Sequence, residues 1–97
     1  MTCLDDEPEV NWVRLAQRLL GEETGMDVAS EAIEIDTDGR ITIDTGAGVV
    51  SVFPGIGGRW VGSATGRREL YFFRETRIEA LGIACRAYPD AIAEVPA

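Results

Sequence analysis

Asp38 to Phe73 reads DGRITIDTGAGVVSVFPGIGGRWVGSATGRRELYFF and holds eight of the chain's eleven glycines. Glycines packed this densely either cradle a phosphate or turn the corners of a β-sheet, and the choice decides the fold. A phosphate loop needs a strand before it and a helix after it, because the helix N-terminus and its free amides hold the anion. Here Gly46-Ala47-Gly48 runs into Val49–Phe53, and Gly55-Ile56-Gly57-Gly58 runs into Arg59-Trp60-Val61, both β-branched or aromatic. No lysine exists anywhere in the chain to serve such a loop. The glycines are therefore read as corners.

Alternation supports that reading. Ile33 and Ile35 alternate with Glu34 and Asp36, and Ile41 and Ile43 alternate with Thr42 and Asp44, the period of a half-buried hairpin. A two-residue Asp38-Gly39 turn would set Ile35 against Thr42 and mix the faces. A three-residue Thr37-Asp38-Gly39 turn pairs Ile35 with Ile41 and Ile33 with Ile43, with Gly39 in the left-handed position of a bulged hairpin. The same device at Ala64-Thr65-Gly66 predicts Trp60 opposite Leu70, Val61 opposite Glu69 and Ser63 opposite Arg67, with Gly66 left-handed as well. Val49–Phe53 lies between the two hairpins as a middle strand, so the glycines mark four successive corners of a five-strand antiparallel meander.

Helices are expected on either side. Asp6, Pro8 and Glu9 have the spacing of a helix start, and Trp12, Ala16, Leu19 and Leu20 form an apolar stripe ahead of Gly21, predicting a helix over about 7–20. Thr76 and Glu79 form a capping box for a second helix ending near Tyr88-Pro89, with Ile78, Leu81, Ala84, Cys85 and Tyr88 as its apolar stripe. The fold class is α+β in the order α-β-β-β-β-β-α. Residues 1–97 make one domain, with 1–5 and 90–97 expected to fray. One sheet face carries Ile33, Ile35, Ile41, Ile43, Val50 or Val52, Trp60, Leu70 and Phe72, covered by one or both helices.

Composition limits function. The net charge is −8, divided into −9 over residues 1–44 (twelve acids, three arginines) and +1 over residues 45–97 (five acids, six arginines). An acidic half repels nucleic acid and attracts basic surfaces. No apolar run is long enough for a membrane span, and the acidic start lacks the pattern of a signal peptide, so a cytoplasmic protein with free thiols at Cys3 and Cys85 is expected. Glu34, Asp36 and Asp38-Gly39 echo the start of a calcium loop, but the twelfth position is Thr45 where a bidentate glutamate belongs. There is no histidine, two unlinked cysteines do not make a zinc site, and no activated nucleophile or base stands out. No cofactor, metal or catalytic residue is assigned, and the chain is read as a non-enzyme.

What remains is recognition. The second sheet face is expected to carry Glu34, Asp36, Thr42 and Asp44 at one end, and Arg59, Val61, Arg67, Glu69, Tyr71 and Phe73 at the other. Two surfaces follow: an acidic one (Glu34, Asp36, Asp38, Asp44) and an arginine–aromatic one (Arg59, Arg67, Tyr71, Phe73). The first suits a protein that binds and modulates a basic, nucleic-acid-binding partner, as nucleic-acid-mimicking inhibitors of phages and mobile elements do. The second admits a nucleic-acid-binding module using Arg59, Arg67, Arg68, Arg74 and Arg77. Gly58–Ile92, with Trp60, Leu70-Tyr71-Phe72 and an alanine-rich helix reaching Tyr88, resembles the three-strand-plus-helix DNA-binding domains at integrase N-termini. Glu69, Glu75 and Glu79 depart from their basic pattern. A homodimer formed by pairing of edge strands is the third reading.

Overall fold

The computed structural model describes residues 11–93. Helix α1 (Trp12–Thr24) leads through a short 3-10 turn (Ser30–Ala32) into five strands: β1 (Ile33–Ile35), β2 (Ile41–Asp44), β3 (Val49–Pro54), β4 (Trp60–Thr65) and β5 (Glu69–Arg74). Helix α2 (Arg77–Ile92) follows. The strands form one antiparallel sheet in the order β1-β2-β3-β4-β5, the expected meander.

The first hairpin has the expected register, Ile33 with Ile43 and Ile35 with Ile41. Asp36 donates its N–H to the Arg40 carbonyl at 2.9 Å, Gly39 donates to the Asp36 carbonyl at 3.0 Å, and Gly39 has φ +93°. The second hairpin differs. Trp60 pairs with Arg74 and Ala64 with Leu70, so the turn is Gly66-Arg67-Arg68, closed by Gly66 N–H to Arg68 O at 2.9 Å. Gly66 is not among the positive-φ glycines. The slip is four residues, and an even slip leaves every side chain on its expected face. The observed register lets the amides of Arg67 and Arg68 reach the Ala91 carbonyl at 2.8 and 3.0 Å, so the turn caps the end of α2.

Both helices also end differently from expectation. α1 begins at Trp12, with the Asn11 side chain accepting from the Arg14 N–H at 3.1 Å; Asp6, Pro8 and Glu9 lie outside the described residues. It runs through Gly21 because the left-handed stop is Gly25 (φ +77°), whose N–H bonds the Gly21 carbonyl at 2.8 Å. α2 starts at the expected cap, where the Thr76 hydroxyl accepts from the Glu79 N–H at 3.2 Å. It continues through Pro89 to Ile92. Proline costs a helix interior about 3 kcal/mol relative to alanine. Here burial of Tyr88 and Ala91 and the capped Ala91 carbonyl offset that cost.

The core lies between the sheet and α2. Ile41, Ile43, Val50, Val52 and Ala64 point from the sheet into Leu81, Ala84, Cys85 and Tyr88, all fully buried. Residues 50 and 52 share this face, so both valines belong to the core. α2 lies along β3, β4 and β5, and α1 packs beside it through Trp12, Ala16 and Leu20. Ile78 does not belong to the buried stripe; it is 44% exposed, and Ala80, Ala87 and Ala91 take its place. The reason is proximity. A Cβ on Gly62 would fall inside contact of the Ala80 carbonyl oxygen, and one on Gly66 would sit 3.0 Å from the Ala91 oxygen. The alanines of α2 rest almost backbone to backbone on β4, and a larger side chain at the seam would push them off.

Candidate interaction surface

Both helices cover the same face, so the other face of the sheet is open among the described residues. The registers arrange its side chains in rows across the strands. The middle row is Glu34, Thr42, Ser51, Ser63 and Tyr71. On one side Phe53, Val61 and Phe73 are cross-strand neighbours. Extending the β2–β3 ladder by one residue sets Arg40 beside Phe53, and its guanidinium lies 5.6 Å from that ring. The row on the other side is Asp44, Val49, Thr65 and Glu69.

The rows differ in height. Thr42, Ser51 and Ser63 are short, and Ser63 is buried as a floor beneath taller neighbours. They leave a shallow trough of about 370 Å³ between Arg40, Phe53 and Tyr71. Tyr71 is 53% exposed and Phe73 57%, whereas α2 covers the opposite face at this edge. At the Phe53 end, Ile56 projects from the Gly55–Gly58 corner and is 92% exposed. Large apolar side chains gathered at one end of a sheet and rimmed by charge mark a contact surface more than isolated exposed ones do.

The acidic residues divide into two pairs. Glu34 and Asp44 meet at the β1–β2 edge, where Glu31, missed in the sequence, joins them around a second depression. Asp36 and Asp38 lie at the far end of the same hairpin, beside Arg40. Asp38 accepts from the Arg40 N–H at 3.1 Å and Asp44 from the Gly46 N–H at 3.0 Å, so both carboxylates also hold turns. Among the described residues, no three His, Cys, Asp or Glu side chains converge as metal ligands.

The arginines are dispersed. Arg59 pairs with Glu75 at 3.5 Å, and Arg74 donates to the Phe73 carbonyl at 2.7 Å. Arg67 stands in the turn beyond the other end of β5, a strand roughly 17 Å long at the rise of an extended chain. Arg77 serves the fold. Its guanidinium stacks over Trp12 at 4.1 Å, lies 5.5 Å from the Trp60 ring and donates to the Gly39 carbonyl at 3.1 Å. This one side chain ties both helix starts to the first hairpin.

Cys85 is a packing residue. Burial, and to a lesser degree the charge of Glu23, pushes its thiol up to about 12, so it stays neutral at physiological pH. No described helix is long and apolar enough to cross a membrane. Phe53 and Ile56 were legible only in part: the parity of Val50 and Val52 places Phe53 on the open face, but no local pattern marks Ile56 as exposed. Comparison with family models, curated proteins and solved structures gave no match.

Proposed function

We propose that this protein acts by binding another protein through the open sheet face, and that the partner presents basic side chains around an apolar contact. The observation behind the proposal is the placement of both helices on one face, which leaves Tyr71 and Phe73 exposed with the half-buried Phe53 beside them. Aromatic side chains supply large contact area at low entropic cost and dominate interface energetics. Glu34, Asp36 and Asp44 lie toward the β1–β2 edge, across the sheet from Tyr71 and Phe73, and of the residues in the three rows only Arg40 is cationic. Such a rim steers a basic partner and repels nucleic acid. A nucleic-acid-binding protein is the partner class with that surface, and occupying it would block its substrate.

The test is capture of partners from the native host by tagged protein, with nucleic acid digested. A Tyr71→Ser/Phe73→Ser double variant should lose the captured protein at every salt concentration. A Glu34→Lys/Asp36→Lys/Asp44→Lys variant should bind more slowly at low salt and converge with the parent protein at high salt, where charges are screened within about 8 Å or less. Undiminished capture by the aromatic double variant would defeat the proposal. Steeply salt-dependent retention of the purified protein on DNA would put a nucleic-acid module in its place.

A further inference from the structure

An open meander has two edges, and these two are unlike. β1 is three residues long and acidic in flank, with Glu34 and Asp36. β5 is six residues long, contains no proline or glycine, and pairs one to one with β4 without a bulge. A straight edge of this kind, where a side chain of the strand itself meets the Phe73 carbonyl, is a template for another strand.

Its backbone groups are oriented for that. The Gly66 N–H to Arg68 O bond fixes the phase of the β4–β5 ladder, so Leu70, Phe72 and Arg74 exchange their bonds with β4. The N–H and C=O groups of Glu69, Tyr71 and Phe73 therefore point outward. The Phe73 carbonyl is met there by the Arg74 side chain, as that phase requires. Leu70 and Phe72 are only half-buried at the rim of the core, while Tyr71 and Phe73 are exposed on the other face.

We infer that β5 is the seam of a two-fold homodimer, in which β5 of a second copy adds antiparallel and joins two five-stranded sheets into one of ten. Pairing centred on Tyr71 sets Tyr71 against its own symmetry mate, Glu69 against Phe73 of the second copy, and Leu70 against Phe72. That covers both apolar rims at once. Charge selects this edge over β1. Residues 45–97 sum to +1 and residues 1–44 to −9, so a β5 seam joins near-neutral halves. Nine strand spacings of about 4.8 Å then hold the two β1 strands roughly 43 Å apart, several Debye lengths at physiological salt. The inference depends on the strand edge and not on the partner proposed for the open face. Joining the edges would place the two trough-bearing faces side by side.

The test is mass in solution by sedimentation velocity, from about 10 µM to about 1 mM, since a single strand seam falls among the small, weak interfaces. The parent protein should pass from monomer to dimer across that range. Tyr71→Pro removes the outward N–H at the centre of the seam, where an edge strand tolerates proline, and should remain monomeric. Tyr71→Ala, which keeps that N–H, should still dimerise. In a Cys3→Ser background, Tyr71→Cys should form a disulfide dimer on oxidation, because narrow antiparallel pairs hold Cα atoms about 5.5 Å apart. Glu69→Cys, facing Phe73 of the second copy, should not. Should Tyr71→Pro fail to fold, the two cysteine variants decide. A parent protein monomeric at the highest concentration, or equal cross-linking by both cysteine variants, would overturn the inference.

Discussion

Replacing Gly62 with alanine adds one methyl group at the closest approach of α2 to the sheet. That methyl would lie 3.0 Å from the Ala80 carbonyl carbon, 3.3 Å from its Cα, and closer still to its oxygen. Carbon pairs settle at about 3.5–4.0 Å, so α2 must retreat by roughly 0.5–1 Å. A gap of that size forfeits a quarter to a half of the dispersion contact of the side chains it separates. Those side chains include Leu81, Ala84, Cys85 and Tyr88, all fully buried. Over-packing of this kind costs about 1–3 kcal/mol, and the backbone clash puts Gly62→Ala at the upper end, about 2–3 kcal/mol. In a domain of this size that lowers the thermal midpoint by about 10–20 °C. Gly82→Ala is the matched control. Gly82 lies within α2 with nothing inside 4 Å of the added methyl, so its alanine should stabilise by about 0.5–1 kcal/mol. Thermal and urea unfolding of the two variants, checked by far-UV circular dichroism, compare identical chemistry at two sites. Equal stability of Gly62→Ala and the parent protein, or a larger loss for Gly82→Ala, would refute the close packing of α2 on β4.

Two further outcomes are expected. Arg77→Lys should destabilise by about 1–2 kcal/mol and red-shift the emission of Trp12 and Trp60, because an ammonium neither stacks flat over the indole 4.1 Å away nor matches the guanidinium's reach to the Gly39 carbonyl; an unchanged urea midpoint and emission maximum would deny Arg77 that role. Folding pushes the Cys85 thiol up from 9.0 to about 12, so above pH 9 the unfolded chain gives up a proton that the native state keeps, and stability should fall by up to about 1.4 kcal/mol per pH unit toward pH 12. Urea midpoints at pH 8 and pH 10.5 should fall more steeply in the parent protein than in Cys85→Ala; parallel lines would show that the thiol ionises alike in both states.

What the sequence disclosed follows the range of each signal. The first hairpin was legible because two local constraints agree on it: the alternation of Ile33, Ile35, Ile41 and Ile43, and a turn whose length must preserve that alternation. The Thr76–Glu79 cap is equally local, with both partners within one helical turn. Alternation is blind to even slips, however, and the second hairpin moved by four residues without shifting a side chain from its face. By analogy with Gly39, the local pattern makes Gly66 the left-handed end of that turn. Gly39, Gly46, Gly57 and Gly58 have positive φ, but Gly48, Gly62 and Gly66 do not. Gly62 and Gly66 instead meet the backbone of Ala80 and Ala91, positions eighteen or more residues away that no sequence window joins. The open face was hidden for the same reason. Whether α2 would cover Tyr71 and Phe73 or their neighbours Leu70 and Phe72 depends on which face offers a flat bed to the helix. Ala64 and the bare Gly62 make that bed on one side, and Val61 and Ser63 between Phe53, Tyr71 and Phe73 deny it on the other. Gly62, inside a strand, and Gly66, at a corner, thus decide where the helix lies, and by doing so they decide which aromatic side chains are left for a partner.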